Sequence, residues 1–151
     1  MGRIAIAGLA AGFLAAVLPA GARAKDLGKL SDVLALGYLG QDVVQMCGFA
    51  KDGHGNLLRS AASASEAAIE DKILAGLTDE DANSVIQASE RKSRALLGRM
   101  TMQTESPPPG HGAAAIDAWC ARQGEAVIET VAALYYRRSA DLAKEIEAAK
   151  R

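Results

Sequence analysis

The sequence predicts an all-α fold: a small bundle of about four helices, stapled by one disulfide and preceded by a signal-peptide helix. Three observations lead there. Half of the 151 residues are hydrophobic but only 4% are aromatic, a composition that suits closely packed helices better than a sheet, where β-branched and aromatic side chains are favoured. Large apolar side chains recur at spacings of three, four and seven, the mark of helical stripes. The chain has two cysteines, Cys47 and Cys120, and no C-x-x-C.

The first segment is an address. Arg3 gives a positive start, Ile4 to Leu18 is an uncharged apolar run, Pro19 interrupts it, and Ala22-Arg23-Ala24 offers small residues where a signal peptidase needs them. Residues 1–24 read as a signal peptide cleaved between Ala24 and Lys25, and residues 25–151 as a single helical domain. The apolar run is shorter than the ~20 residues of a membrane span, so no membrane attachment is expected after cleavage. The expected location is the periplasm. Loss of Arg3 and Arg23 would take the formal charge from −1 to −3, which leaves no electrostatic footprint for nucleic acid.

Lys25 to Phe49 is the first expected helix, with Leu27, Leu30, Val33/Leu34, Gly37, Val44 and Cys47 along one side and Gly48 as its stop. Its two interior glycines, Gly37 and Gly40, each cost about 1 kcal/mol in an isolated helix but let a neighbour come close. The run Lys51 to Asn56 is glycine-dense and reads as a loop. Leu57 to Leu74 is the second helix, with weak contrast in its serine- and alanine-rich first half and Gly76 behind it. Thr78 caps the third helix, and Asp79, Glu80 and Asp81 favour the positive end of its dipole. Gln103 to Gly112 holds three prolines and two glycines and cannot stay helical. The fourth helix, Ala113 to Arg151, contains the only tryptophan and is the stripe the rest of the chain is expected to cover. That stripe runs through Ile116, Trp119/Cys120, Val127, Val131, Leu134, Leu142 and Ile146, with a bend or fraying near Arg137-Arg138-Ser139.

Topology pairs the cysteines. In an up-down-up-down bundle the first helix ends where the fourth begins, so Cys47 and Cys120 meet at one pole. In an oxidising compartment two such cysteines form a bridge. Closing a loop of this length stabilises by about 4 kcal/mol in the chain-entropy account.

Candidate site residues are few. His54 and His111, the only histidines, each sit in Gly-His-Gly, and glycines on both sides let a backbone approach a ligand closely. With Asp52, and with Glu105 as a further oxygen ligand, they form a candidate zinc or copper site. Their ordinary reading is as exposed loop residues. Tyr135, Tyr136, Arg137 and Arg138 combine two residue types enriched at interfaces and form a candidate contact surface; their ordinary reading is packing plus a polar rim. Glu90-Arg91-Lys92-Ser93-Arg94 reads as a hydrated helix face. No G-x-S-x-G, H-E-x-x-H, Walker loop or G-x-G-x-x-G occurs. No catalytic residue is assigned and no cofactor is implied.

Met46-Cys47-Gly48 closing an early helix, the run from Glu90 to Arg94, and Trp119-Cys120 with Gly124-Glu125 give an order of features that resembles small two-cysteine helical periplasmic proteins of alphaproteobacteria with no assigned function. Leu36-Gly37-Tyr38-Leu39-Gly40-Gln41-Asp42 is similar to the Gly-Tyr segment of periplasmic immunity proteins that neutralise type VI secretion amidases, although the further cysteines typical of that family are missing here. The function expected is that of a secreted, non-enzymatic binding or accessory protein with a protein partner. A metal-binding protein or enzyme using the two Gly-His-Gly segments is the alternative.

Overall fold

The computed structural model describes residues 24–102, 113–137 and 139–151. All regular structure among them is helical: α1 (Leu27–Cys47), α2 (Gly53–Leu74), α3 (Asp79–Met102), α4 (Ala113–Trp119), a π-helical turn (Cys120–Gly124), α5 (Glu125–Arg137) and α6 (Ser139–Lys150). None of these helices is long and apolar enough to cross a membrane. Residues 1–23 of the expected signal peptide (1–24), and residues 103–112, expected to be non-helical, lie outside the described residues.

Helix ends follow the local chemistry. Asp26 caps α1 by accepting from the Lys29 amide at 2.9 Å, and Gly48, at φ 55°, turns the chain out of it while its own N–H reaches Val44 O. Thr78 Oγ1 accepts from the Asp81 amide at 3.2 Å. The second helix begins four residues earlier than its hydrophobic pattern suggests. Asp52 is the reason: its carboxylate accepts from Gly55 N at 2.8 Å and starts the helix inside the glycine-rich segment.

The organising element is α1, not the C-terminal stripe. It packs against α2, α3, α5 and α6. Leu30, Val33, Leu34, Ala35, Leu39 and Val43 are all buried on it, together with Ser31, Gly37 and Gly40. Those positions go most of the way round the helix, so α1 is a central rod with one polar stripe left over.

The C-terminal run is broken by the π turn. Trp119 and Gly124 are both buried, five residues apart, which is the π repeat. The next buried large residue is Ile128, fully enclosed, while Val127 is only half-buried. In an unbroken α-helix nine residues turn through about 900°, which would put Ile128 opposite Trp119. The extra residue of the π turn corrects that phase, so the stripe continues through Ile128 and Val131 instead of Val127. Ile116 is left 36% exposed.

Two apolar clusters result. One joins Leu30, Leu34, Ile69, Ile73, Val85 and Ile146; the other joins Leu39, Val43, Leu58, Ala62, Trp119 and Ile128. The second ends at the Cys47–Cys120 disulfide, with Cα atoms 5.4 Å apart, at the pole where topology expected it.

Candidate functional site

The polar stripe of α1 is Tyr38, Gln41, Asp42 and Gln45. The spacing i, i+3, i+4, i+7 keeps these four side chains on one side. They form the floor of an open groove of about 270 Å³, with Glu66 of α2 on one wall and Glu90 and Arg94 of α3 on the other. A neighbouring hollow of about 470 Å³ shares Asp42, Gln45 and Arg94 and adds Met46, Leu97 and Gly98. The groove thus runs from an acidic compartment into a more apolar annex.

Local sequence builds this groove on both sides of α1. In Leu36-Gly37-Tyr38-Leu39-Gly40-Gln41-Asp42 the glycines point inward. A Cβ on Gly37 would stand 3.4 Å from Glu66 Cα, and one on Gly40 would stand 3.5 Å from Ala62 Cβ and 3.7 Å from Val131 Cγ1. The two glycines let α2 and α5 close on α1, while Tyr38, Gln41 and Asp42 stay on the open side. On the other flank α3 approaches through small buried serines. Ser89 Oγ donates to Val85 O at 2.6 Å and lies 3.1 Å from Ser31 O, and the Ser93 hydroxyl donates to the Asp42 carboxylate. Lys92 completes the seam, with Nζ donating to Gly28 O, Ser31 Oγ and Asp32 Oδ1 at 2.5–2.9 Å.

The groove is electrostatically one-sided. Asp42, Glu66 and Glu90 face a single cation, Arg94, whose guanidinium lies 3.6 Å from Glu90. Burial pushes the Glu66 carboxyl above the usual carboxylate range. The Gln41 side chain pulls it back in part, and Glu70 and Asp42 push it up again. The Tyr38 phenol, which donates to Glu70 Oε2 at 3.3 Å, is raised well above a free tyrosine, first by burial and then by Glu70, Glu66 and Glu90. In both groups burial is the first cause, and the neighbouring carboxylates add to it.

The residues singled out from sequence fare unequally. Cys47 and Cys120 are joined. His54 stands in the first turn of α2, not on a loop, and its Nε2 lies 2.9 Å from Glu125 Oε1. That contact, by hydrogen bond and then by charge, raises the imidazole above its ordinary value. Asp52 is occupied as the cap of α2. The second glycine of this Gly-His-Gly serves packing: a Cβ on Gly55 would fall 1.9 Å from Ala50 O. Arg59 fixes that carbonyl and the one before it, donating to Phe49 O and Ala50 O at 2.7 Å. His111 and Glu105 lie outside the described residues, among which no group of three metal-binding side chains occurs. Tyr135 is half-buried, with Lys72 Nζ 5.8 Å from its ring centroid; the side chains of Tyr136 and Arg137, and all of Arg138, lie outside the described residues. Ala24 and Lys25 precede α1, and Lys25 Nζ lies 3.1 Å from Asp81.

No family model, curated protein or solved structure matches this chain.

A second surface hollow, of about 770 Å³, lies between α2 and α5. It is walled by Leu57, Leu58, Ala61, Ala132 and Ala133, with His54 at its edge, and Leu57 is 69% exposed. Its lining mixes His54, Glu129 and Thr130 with apolar residues, and His54 is engaged by Glu125, whereas every residue lining the α1 groove carries a polar group. Binding sites are better marked by convergent polar side chains. None of the groove residues was marked as a site in the sequence: Leu36 to Asp42 stood out only for a resemblance, and Glu90 to Arg94 as a hydrated helix face. Gln45 and Glu66 had no signal beyond helical register with residues on other helices, which a single sequence does not supply.

Proposed function

We propose that this chain is a secreted, periplasmic, non-enzymatic binding or accessory protein that holds a protein partner in the α1–α2–α3 groove. One observation carries the reading. The central helix, buried almost all round, leaves a single polar stripe, and that stripe floors a cleft whose carboxylates outnumber its one cation. Such groups are costly to half-bury without a purpose beyond stability. The disulfide fits an oxidising compartment, and the leader-like segment fits export. The metal or enzyme alternative gains no support from His54 and Asp52, which are engaged by Glu125 and by the start of α2.

The test is affinity capture from periplasmic extract. Gln45 is exposed on the groove floor and Lys144 is exposed on α6, so Gln45→Trp fills the groove and Lys144→Trp serves as the control. The expected result is a protein retained by the wild type and by Lys144→Trp, and lost with Gln45→Trp. Equal retention by all three, or retention by none, defeats the groove as the binding site. Export is checked separately: the periplasmic product should begin at Lys25 and show no free thiol by mass.

A further inference from the structure

The geometry points to an arginine side chain of the partner protein as the group that enters this groove, its guanidinium among Asp42, Glu66 and Glu90 and its stem toward Met46 and Leu97. This rests on the groove being the binding site and goes further by naming what it takes.

The argument starts from what the groove lacks. Among the described residues neither Asp42 nor Glu66 has a cation within ion-pair distance, whereas Glu90 has Arg94 at 3.6 Å and Asp32 has Lys92 at 2.5 Å. Asp42 takes one hydrogen bond from Ser93, and a carboxylate accepts several. Burial is the first cause of the raised Glu66 carboxyl, and Glu70 and Asp42 add to it. A cation arriving beside Glu66 removes the mutual repulsion of the acids and restores solvation lost to burial.

The shape selects the kind of cation. The acidic compartment opens directly into the hollow lined by Met46, Leu97 and Gly98. A bare metal ion would leave that annex unused, and the described carboxylates and histidine provide no three-ligand cluster for one. A guanidinium on a three-carbon stem uses both parts: its flat donor fork meets carboxylates at more than one edge, and its methylenes cover apolar surface. Gln41 and Gln45 on the floor supply amide oxygens as further acceptors. Arginine is also among the residues that dominate protein–protein hot spots.

The test is an NMR titration of the oxidised, exported chain with N-acetyl-Leu-Arg-amide. N-acetyl-Leu-citrulline-amide serves as the uncharged isostere and calcium chloride as the divalent cation. The arginine dipeptide should produce saturable shifts of the Gln41 and Gln45 side-chain amides and lower the Glu66 pKa. The citrulline dipeptide should bind at least tenfold more weakly. A Glu66→Gln, Glu90→Gln double variant, isosteric at partly and fully exposed positions and checked for an unchanged backbone spectrum, should weaken the arginine dipeptide at least tenfold. Equal binding of the citrulline dipeptide, no saturable shift, or saturation by calcium at lower concentration overturns the assignment. If the dipeptide fails while Gln45→Trp still abolishes capture, the binding reading stands and arginine falls. If capture is also insensitive to Gln45→Trp, both fall.

Discussion

The two ends of the helix array are closed by different chemistry. At the end holding both described termini, Asp26 N donates to Ala149 O at 2.7 Å, and Lys150 Nζ donates to Lys72 O and Ala75 O at 2.6 and 2.7 Å. Lys25 pairs with Asp81 there. These are several partly exposed, separable contacts over a core of Leu30, Leu34, Ile69, Ile73, Val85 and Ile146. At the other end one covalent bond joins Cys47 to Cys120, and the packing around it is close. A Cβ on Gly124 would stand 3.0 Å from Cys47 Sγ and 3.3 Å from Phe49 Cζ. Trp119 is fully buried there, with no partner for its indole N–H among the described residues. One end relies on ordinary burial. The other closes around a covalent bond, with glycine at 124 where a Cβ would crowd the sulfur.

Removing the disulfide is the largest way to break that comparison. A Cys47→Ala, Cys120→Ala variant should lose about 4 kcal/mol in urea unfolding, with amide exchange rising first around Trp119 and Ile128. Equal loss of protection around Ile73 would mean that the ends are not distinct. Ile73→Ala, in the opposite core, should cost about 3 kcal/mol, and by the same amount with or without the disulfide, since distant sites add. Gly124→Ala should cost about 2 kcal/mol through crowding, and most of that penalty should vanish when Cys47 is alanine. A penalty that persists in the double variant would assign the crowding to Phe49 alone.

The smaller effects concern pH and mark the groove off from the disulfide end. Because the Glu66 pKa is raised on folding, the folded protein binds the proton more tightly, so stability falls as pH rises through the interval between the unfolded and folded values. Glu66→Gln should therefore be more stable than wild type at neutral pH, by about 0.5 kcal/mol or less, with the difference closing in acid. His54 follows the same sign, in the imidazole range instead of the carboxylate range. Its raised pKa gives a contribution that is complete below the unfolded value and lost as pH climbs through the folded one. Glu125→Gln should lower the His54 pKa in an NMR titration, with little change in unfolding midpoint because the pair is exposed.

Much of this arrangement was legible in single residues. Gly48, Thr78 and the thiols act where their chemistry says they should. The misreadings came from local backbone geometry that residue type alone does not reveal. The second helix began early because Asp52 caps it, yet its glycines suggested a loop. Gly55 looked like a ligand-approach residue and is instead required by the Ala50 carbonyl. Val127 looked like the core position, but the π turn moved that role to Ile128.

The sequence by itself determined that the described residues are helical, where the first two helices stop, and which cysteines pair, because capping, backbone freedom and alternation of helix direction are local or topological properties. Only the tertiary structure decided that α1 is the centre and that Tyr38, Gln41, Asp42 and Gln45 meet Glu66, Glu90 and Arg94 across a groove. Helical period fixes which residues share a face; which helix that face meets depends on how neighbouring surfaces fit, and here small residues at Gly37, Gly40, Ser89 and Ser93 set that fit.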